Sequence, residues 1–203
     1  MMRRLHPVGL RERFLHSGAY RRLSDGQIVE KWTLHELDGA LLARADCDSS
    51  LGFTLYEALY DPEGMPVRFN VERFETNAPR MRAHHVLIDG HLQTTLSQGA
   101  EVETSEEALP PNAVPMERPW ILRGLAVHAA VRLGWMRVFP VWEGGIWLVV
   151  ISSAQEDGVQ ALQVGEQRLW VSAQGITIAA HDADDRYYLD DRSSKGKAYA
   201  SVE

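Results

Sequence analysis

Apolar and polar residues alternate with period two, in short runs, from Phe14 to about Gln98, which is the pattern of strands buried on one face. The runs are punctuated by Ser24-Asp25-Gly26, Asp38-Gly39, Asp61-Pro62-Glu63-Gly64 and Asp89-Gly90, at intervals that suit an antiparallel meander. The two bare Asp-Gly pairs predict two-residue hairpin turns, because a type I′ turn needs positive φ at both central positions and these residues adopt it at least cost. A turn at Asp38-Gly39 makes Leu37 face Ala40; outward from it His35 faces Leu42, Thr33 faces Arg44 and Lys31 faces Asp46. The other face collects Ile28, Trp32, Leu34, Leu41, Ala43, Ala45 and Cys47. Phe53, Leu55 and Leu59 alternate with Thr54, Tyr56 and Ala58, and Val67, Phe69 and Val71 alternate with Arg68, Asn70 and Glu72. A one-sided sheet follows, and its apolar face needs a cover.

The segment from Glu101 to Pro115 carries acidic residues and then Pro110, Pro111 and Pro115, which continue neither a central strand nor a helix. It reads as a linker over 99–118. A helix is expected over 119–133, with Pro119 in its first turn and Gly134 just past its end. Ile121, Leu122, Leu125, Ala129 and Leu133 make its apolar stripe, while Arg123 and Arg132 point elsewhere. Strands then resume at Trp135–Val141 and Ile146–Ser152, the latter apolar on both faces and so expected to be central. Further strands are expected at 159–164, 167–173, 176–180 and 186–189. The fold expected is mostly β (α+β): an antiparallel meander curled into an open half-barrel, with one amphipathic helix across its concave face. One domain spans 1–192, followed by a flexible tail over 193–203.

Composition removes several function classes. Of 203 residues, 45% are apolar and 24% charged, the balance of a globular chain. Lys plus Arg is 21 against 28 Asp plus Glu, a net charge of −7, so the basic footprint of a nucleic-acid binder is missing. The longest strongly apolar stretch, Ile146 to Ile151, is far short of the roughly 20 residues that cross a bilayer. Near the start, Arg3, Arg4, Arg11, Glu12 and Arg13 replace the apolar run of a secretory signal, and Cys47 is the single cysteine. Cytoplasmic residence is the expectation.

Candidate chemistry is sparse. His84, His85 and His91 invite a metal reading, but an Asp89-Gly90 turn puts Thr95 opposite His84 and leaves His84 and His91 about 13 Å apart on one side. His85 points to the other side, so these three cannot close a zinc site, and no metal or cofactor is expected. The acidic neighbours Asp46 and Asp48 disfavour a Cys47 thiolate. No nucleophile elbow, phosphate-binding loop, H-E-x-x-H or dinucleotide motif occurs. Asp182, Asp184, Asp185, Asp190 and Asp191 lack the ligand order of an EF-hand and read as a solvated loop. Six tryptophans, at 32, 120, 135, 142, 147 and 170, are spread over the sheet and helix.

The meander, Pro-rich break, apolar helix and second group of strands resemble the open β-barrels of the periplasmic lipoprotein carriers (LolA/LolB-like) and of bacterial families described as glycolipid-binding. The stretch Leu162-Gln-Val-Gly-Glu-Gln-Arg-Leu-Trp-Val-Ser-Ala-Gln-Gly-Ile-Thr, followed by Tyr187-Tyr-Leu-Asp-Asp191, is similar to the turn-and-strand cadence of those families. The resemblance implies binding or carriage, without covalent chemistry, of a hydrophobic small molecule of lipid or glycolipid kind in the cleft between helix and sheet. From the alternation and the helix stripe, Trp32, Leu34, Leu41, Phe69, Leu125 and Trp147 are the expected lining. The alternative is a hydrolase or isomerase on a lipid-like or aromatic substrate, which requires two or more of His35, His84, His85, His91, Asp182 and Asp185 to converge in a pocket. A third reading is self-association into a homodimer through open sheet edges.

Overall fold

The computed structural model describes residues 11–152 and 158–190; the expected tail over 193–203 lies outside them. The elements are β1 (Glu12–Arg22), β2 (Ile28–Leu37), β3 (Ala40–Ser49), β4 (Gly52–Tyr60), β5 (Pro66–Glu75), β6 (Met81–Ile88), β7 (His91–Gln98), β8 (Glu101–Ala108), β9 (Val114–Met116), α1 (Trp120–Arg132), β10 (Arg137–Pro140), β11 (Trp147–Ile151), β12 (Val159–Val164), β13 (Gln167–Ser172), β14 (Thr177–His181) and β15 (Arg186–Asp190). The strands form one sheet in the order β8-β7-β6-β5-β4-β3-β2-β1-β15-β14-β13-β12-β11-β10-β9. All its neighbours are antiparallel except β9 and β10. Return of β15 to β1 joins the first meander to the second. The two edge strands, β8 and β9, are consecutive in sequence, and residues 109–113 between them span no more than about 20 Å. That short tie draws the edges toward each other, so the sheet curls around a core without closing. No helix among the described residues is long and apolar enough to cross a membrane.

The hairpin registers follow the turn chemistry. Asp38 and Gly39 have φ of 50° and 86°, and Leu37↔Ala40, His35↔Leu42, Thr33↔Arg44 and Lys31↔Asp46 are the observed pairs. Ile88↔His91 and His84↔Thr95 hold likewise around Asp89-Gly90.

Two expectations are corrected. The linker expected over 99–118 contains β8, which pairs with β7 from Gln98↔Glu101 to His91↔Ala108, and the short β9. All eight residues of β8 are exposed, so neither face is selected for apolar side chains and no period-two signal exists to read. In β4 the inward face is Tyr56, Ala58 and Tyr60, not Phe53, Leu55 and Leu59. Register decides this: Tyr56, Ala58 and Tyr60 stand opposite the inward residues Ala45, Ala43 and Leu41 of β3. Phe53 instead stacks on Phe74 outside, ring centroids 4.6 Å apart, with Arg80 over the Phe74 ring at 4.5 Å. Strand β11 is central in the sheet as expected, between β12 and β10, while Leu148 and Val150 are 60% and 53% exposed, because nothing described covers the outer face there.

Helix α1 lies inside the curl. Ile121, Leu122 and Leu125 belong to a cluster with Trp32, Leu34, Ala43, Tyr56 and Phe69. Ala126, Val127, Ala129 and Ala130 pack with Val114, Val138, Val149, Leu162 and Leu169. Burial therefore extends well beyond the expected stripe, as for a helix that is apolar around most of its circumference.

Candidate functional site

The six residues expected to line a cleft separate into three groups. Trp32, Leu34 and Phe69 are buried core beneath the helix; the Trp32 ring lies edge-on to His16 at 5.5 Å and fills the space over Gly18. Trp147 sits apart, over Gly165 in the second cluster. Leu41 and Leu125 do meet, at a pocket of about 260 Å³ where the curl stays open beside the C-terminal half of α1.

That pocket is built from loops converging on one helix face. Leu41 with Gly39 and Ala40 comes from the β2–β3 hairpin, Tyr60, Asp61, Pro62 and Gly64 from the β4–β5 turn, Gln174 from the β13–β14 turn and Leu15 from β1. Leu125, His128, Ala129 and Arg132 line it from the helix, at the three- and four-residue spacings that share a face. Glu36 completes the wall, its carboxylate taking a hydrogen bond from Arg13 Nε at 3.0 Å. Asp61 accepts the Met65 N–H at 2.7 Å, which fixes the turn. Burial, and then the nearby Arg132, lower the pKa of His128. The lining is thus an apolar trough with a few polar groups at its rim, a form suited to holding a ligand.

The groups that catalysis would need do not converge there. His35 Nδ1 approaches Glu12 at 2.9 Å, His84 Nδ1 meets Asn70 Oδ1 at 2.6 Å, and His91 Nδ1 lies 3.1 Å from the Asp89 carbonyl. Asp182 and Asp185 meet only in a turn, where the Asp182 carboxylate accepts the N–H groups of Asp184 and Asp185 at 3.0 and 2.9 Å. Among the described residues, no group of three or more His, Cys, Asp or Glu could hold a metal ion. Burial, with Glu30, Asp46 and Asp48 nearby, pushes the Cys47 thiol pKa well up, which opposes thiolate chemistry.

Two buried sites were not foreseen. Glu30, 2% exposed, accepts the first free helix amides, Trp120 N–H at 2.7 Å and Ile121 N–H at 3.1 Å. Pro119 at the N-cap position offers no side-chain bond, so an acid from β2 supplies the cap that the helix's own sequence lacks. Burial outweighs these bonds and raises the Glu30 pKa to about 7. Its signal was present: Glu30 shares the inward parity of Ile28, Trp32 and Leu34, and an acid on an apolar face requires a partner.

The second site lies where the curl approaches itself. Glu117, 1% exposed, accepts Trp142 Nε1–H at 2.9 Å and Arg118 N–H at 3.4 Å through Oε2. Its Oε1 has no hydrogen-bond partner and lies 3.9 Å from His85 Nε2, which also has none. His85 Nδ1 pairs with Thr94 Oγ1 at 2.8 Å. Burial raises Glu117 to about 7 and lowers His85 to about 4. The pair is enclosed and does not border the pocket. Compared with known protein families, curated proteins and solved structures, the chain matches none of them.

Proposed function

We propose that the protein binds a small hydrophobic molecule of lipid-like kind, without chemistry of its own, in the pocket beside the C-terminal half of α1. The observation that carries this reading is the open trough bordered by Leu41 and Leu125, two residues that alternation and the helix stripe independently place on the apolar side. Its volume of about 260 Å³ falls just under the roughly 300–1,000 Å³ of drug-sized ligand sites, so the occupant is a short chain or the end of a longer one. A catalytic role is less well supported, since the buried His85 and Glu117 have no access to this trough. Self-association through the sheet edge is also less favoured: Glu101, Glu103, Glu106 and Glu107 on β8 are the charged protection that keeps an edge strand from pairing.

Native mass spectrometry and organic extraction of freshly purified protein test the reading. A co-purifying small apolar molecule, lost on Leu41→Trp with the fold retained by circular dichroism, is the expected result. Protein that stays empty and binds no short-chain amphiphile overturns it.

A further inference from the structure

The polar groups at the pocket divide into those already engaged and those not. The Glu36 carboxylate is held by Arg13, and Asp61 is committed to its turn through Met65 N–H, with its own carbonyl accepting Gly64 N–H at 2.9 Å. By contrast, among the described residues neither Arg132 nor His128 makes a side-chain hydrogen bond, and Arg132 makes no ion pair. They are one turn apart on the helix face that lines the trough. Arg132 is exposed, and its Nη2 lies 2.9 Å from the position a side chain on Gly64 would occupy, so the guanidinium stands at the solvent-facing lip formed by the β4–β5 turn. A guanidinium offers five N–H donors and no acceptor, and a neutral imidazole adds one N–H. Tyr60 Oη, also at the pocket, is buried without a hydrogen-bond partner and can donate or accept, as can the Gln174 amide, whereas the unused capacity on the helix side of the trough is donor.

We infer that the ligand ends in an anionic oxygen group and that Arg132 recognises it, while the hydrocarbon part lies along Leu41, Leu125 and Ala129. This rests on the binding reading above and narrows it to a class: short amphiphiles with a carboxylate-type head. Arg132 is the stronger determinant, because its planar fork matches two oxygens at once. His128 is the supporting donor. Asp61 faces the same space and confines the head group to the Arg132 side. Arg132 also stands in the last turn of α1, where a cation suits the helix dipole, so the test must separate recognition from helix stability.

The experiment is a calorimetric titration of the full chain with octanoate and with octanol, two probes of equal chain length. Wild type is expected to bind octanoate about tenfold more tightly at low salt. Arg132→Gln is expected to weaken octanoate roughly three- to tenfold and leave octanol unchanged, while Arg132→Lys recovers part of the loss. Leu41→Trp abolishes both. Equal affinity for the two probes in wild type, or an unaltered preference in Arg132→Gln, overturns the anion inference and leaves the pocket reading standing. Failure of both probes to bind, or unimpaired binding of both to a folded Leu41→Trp, overturns the pocket reading and the inference with it.

Discussion

Glu30 and Glu117 are equally buried, and burial lifts both pKa values to about 7, yet they occupy opposite kinds of environment. Glu30 has both oxygens engaged by backbone amides at the start of α1. Glu117 has one oxygen engaged and one facing an imidazole nitrogen 3.9 Å away that is also unpartnered. The region around Glu30 is tied further: Thr177 Oγ1–H donates to the Trp120 carbonyl at 2.7 Å, and Tyr20 Oη–H donates to the Thr177 carbonyl at 2.8 Å. A buried charge does not by itself reveal what it contributes; the count of satisfied lone pairs does. At the helix start the acid is a positioning device, and at the seam between β6 and β9 it is a cost the fold carries.

The largest effect expected from breaking this contrast is at Glu30. Glu30→Gln sets an amide NH₂ against a backbone N–H, leaving one helix amide unpaired, and should destabilise the protein by about 2–3 kcal/mol at pH 5, read from urea unfolding midpoints. The penalty should shrink at pH 8, where ionised Glu30 itself costs the wild type. An unchanged midpoint at pH 5 would mean the helix does not need this cap. Gly124→Ala probes the same docking from the other side, since the added methyl would lie 2.4 Å from Thr177 Oγ1 and 2.6 Å from the Gly175 carbonyl. A loss of about 2 kcal/mol is expected despite alanine's better helix propensity. A stabilised Gly124→Ala would show that α1 does not approach β14 so closely.

The pH profile of wild type sharpens the comparison next. Glu30 and Glu117 have folded pKa values near 7 against an ordinary 4.5, so their contribution is complete below pH 4.5 and is lost as pH rises through 7. His85, near 4 against an ordinary 6.5, acts in reverse: its contribution is complete above 6.5 and is lost as pH falls through 4. The smaller downward shifts of His84 and His128 share that sign. Two carboxyls outweigh the imidazoles, and stability should fall by on the order of 2 kcal/mol between pH 5 and pH 8. Denaturation midpoints rising over that interval would contradict both assignments.

How far these features could be read from sequence depends on the range over which each is determined. The β2–β3 register was legible because Asp38-Gly39 dictates it locally. The facing of β4 was not, because Tyr56 and Tyr60 are drawn inward by their pairing with Ala45 and Leu41, which outweighs the greater hydrophobicity of Phe53 and Leu55. Strand β8 escaped notice because both of its faces meet solvent. At the site, Leu41 and Leu125 could be placed on apolar faces, but whether those faces are filled depends on where the β4–β5 and β13–β14 turns fall, and no local pattern encodes that. Glu117 and His85 are 32 positions apart in sequence, and neither carries a local sign of the other.

The smallest expected effect separates the two acids most sharply. Glu117→Gln keeps an oxygen that can accept from Trp142 Nε1–H and Arg118 N–H, and it places an NH₂ where Oε1 stands, able to donate to His85 Nε2 across the existing 3.9 Å gap after a slight approach. At pH 5 the wild-type acid is already protonated, so the substitution exchanges one neutral group for another and should leave stability within about 0.5 kcal/mol. At pH 8 the wild type bears a buried carboxylate that the variant lacks, and the variant should be more stable by about 2 kcal/mol, with a correspondingly flatter pH profile. Glu30→Gln should fail at pH 5 under identical conditions. If Glu117→Gln instead destabilises as much as Glu30→Gln, measured by urea unfolding at both pH values, then the free oxygen of Glu117 has a partner in solution and the two sites are of one kind.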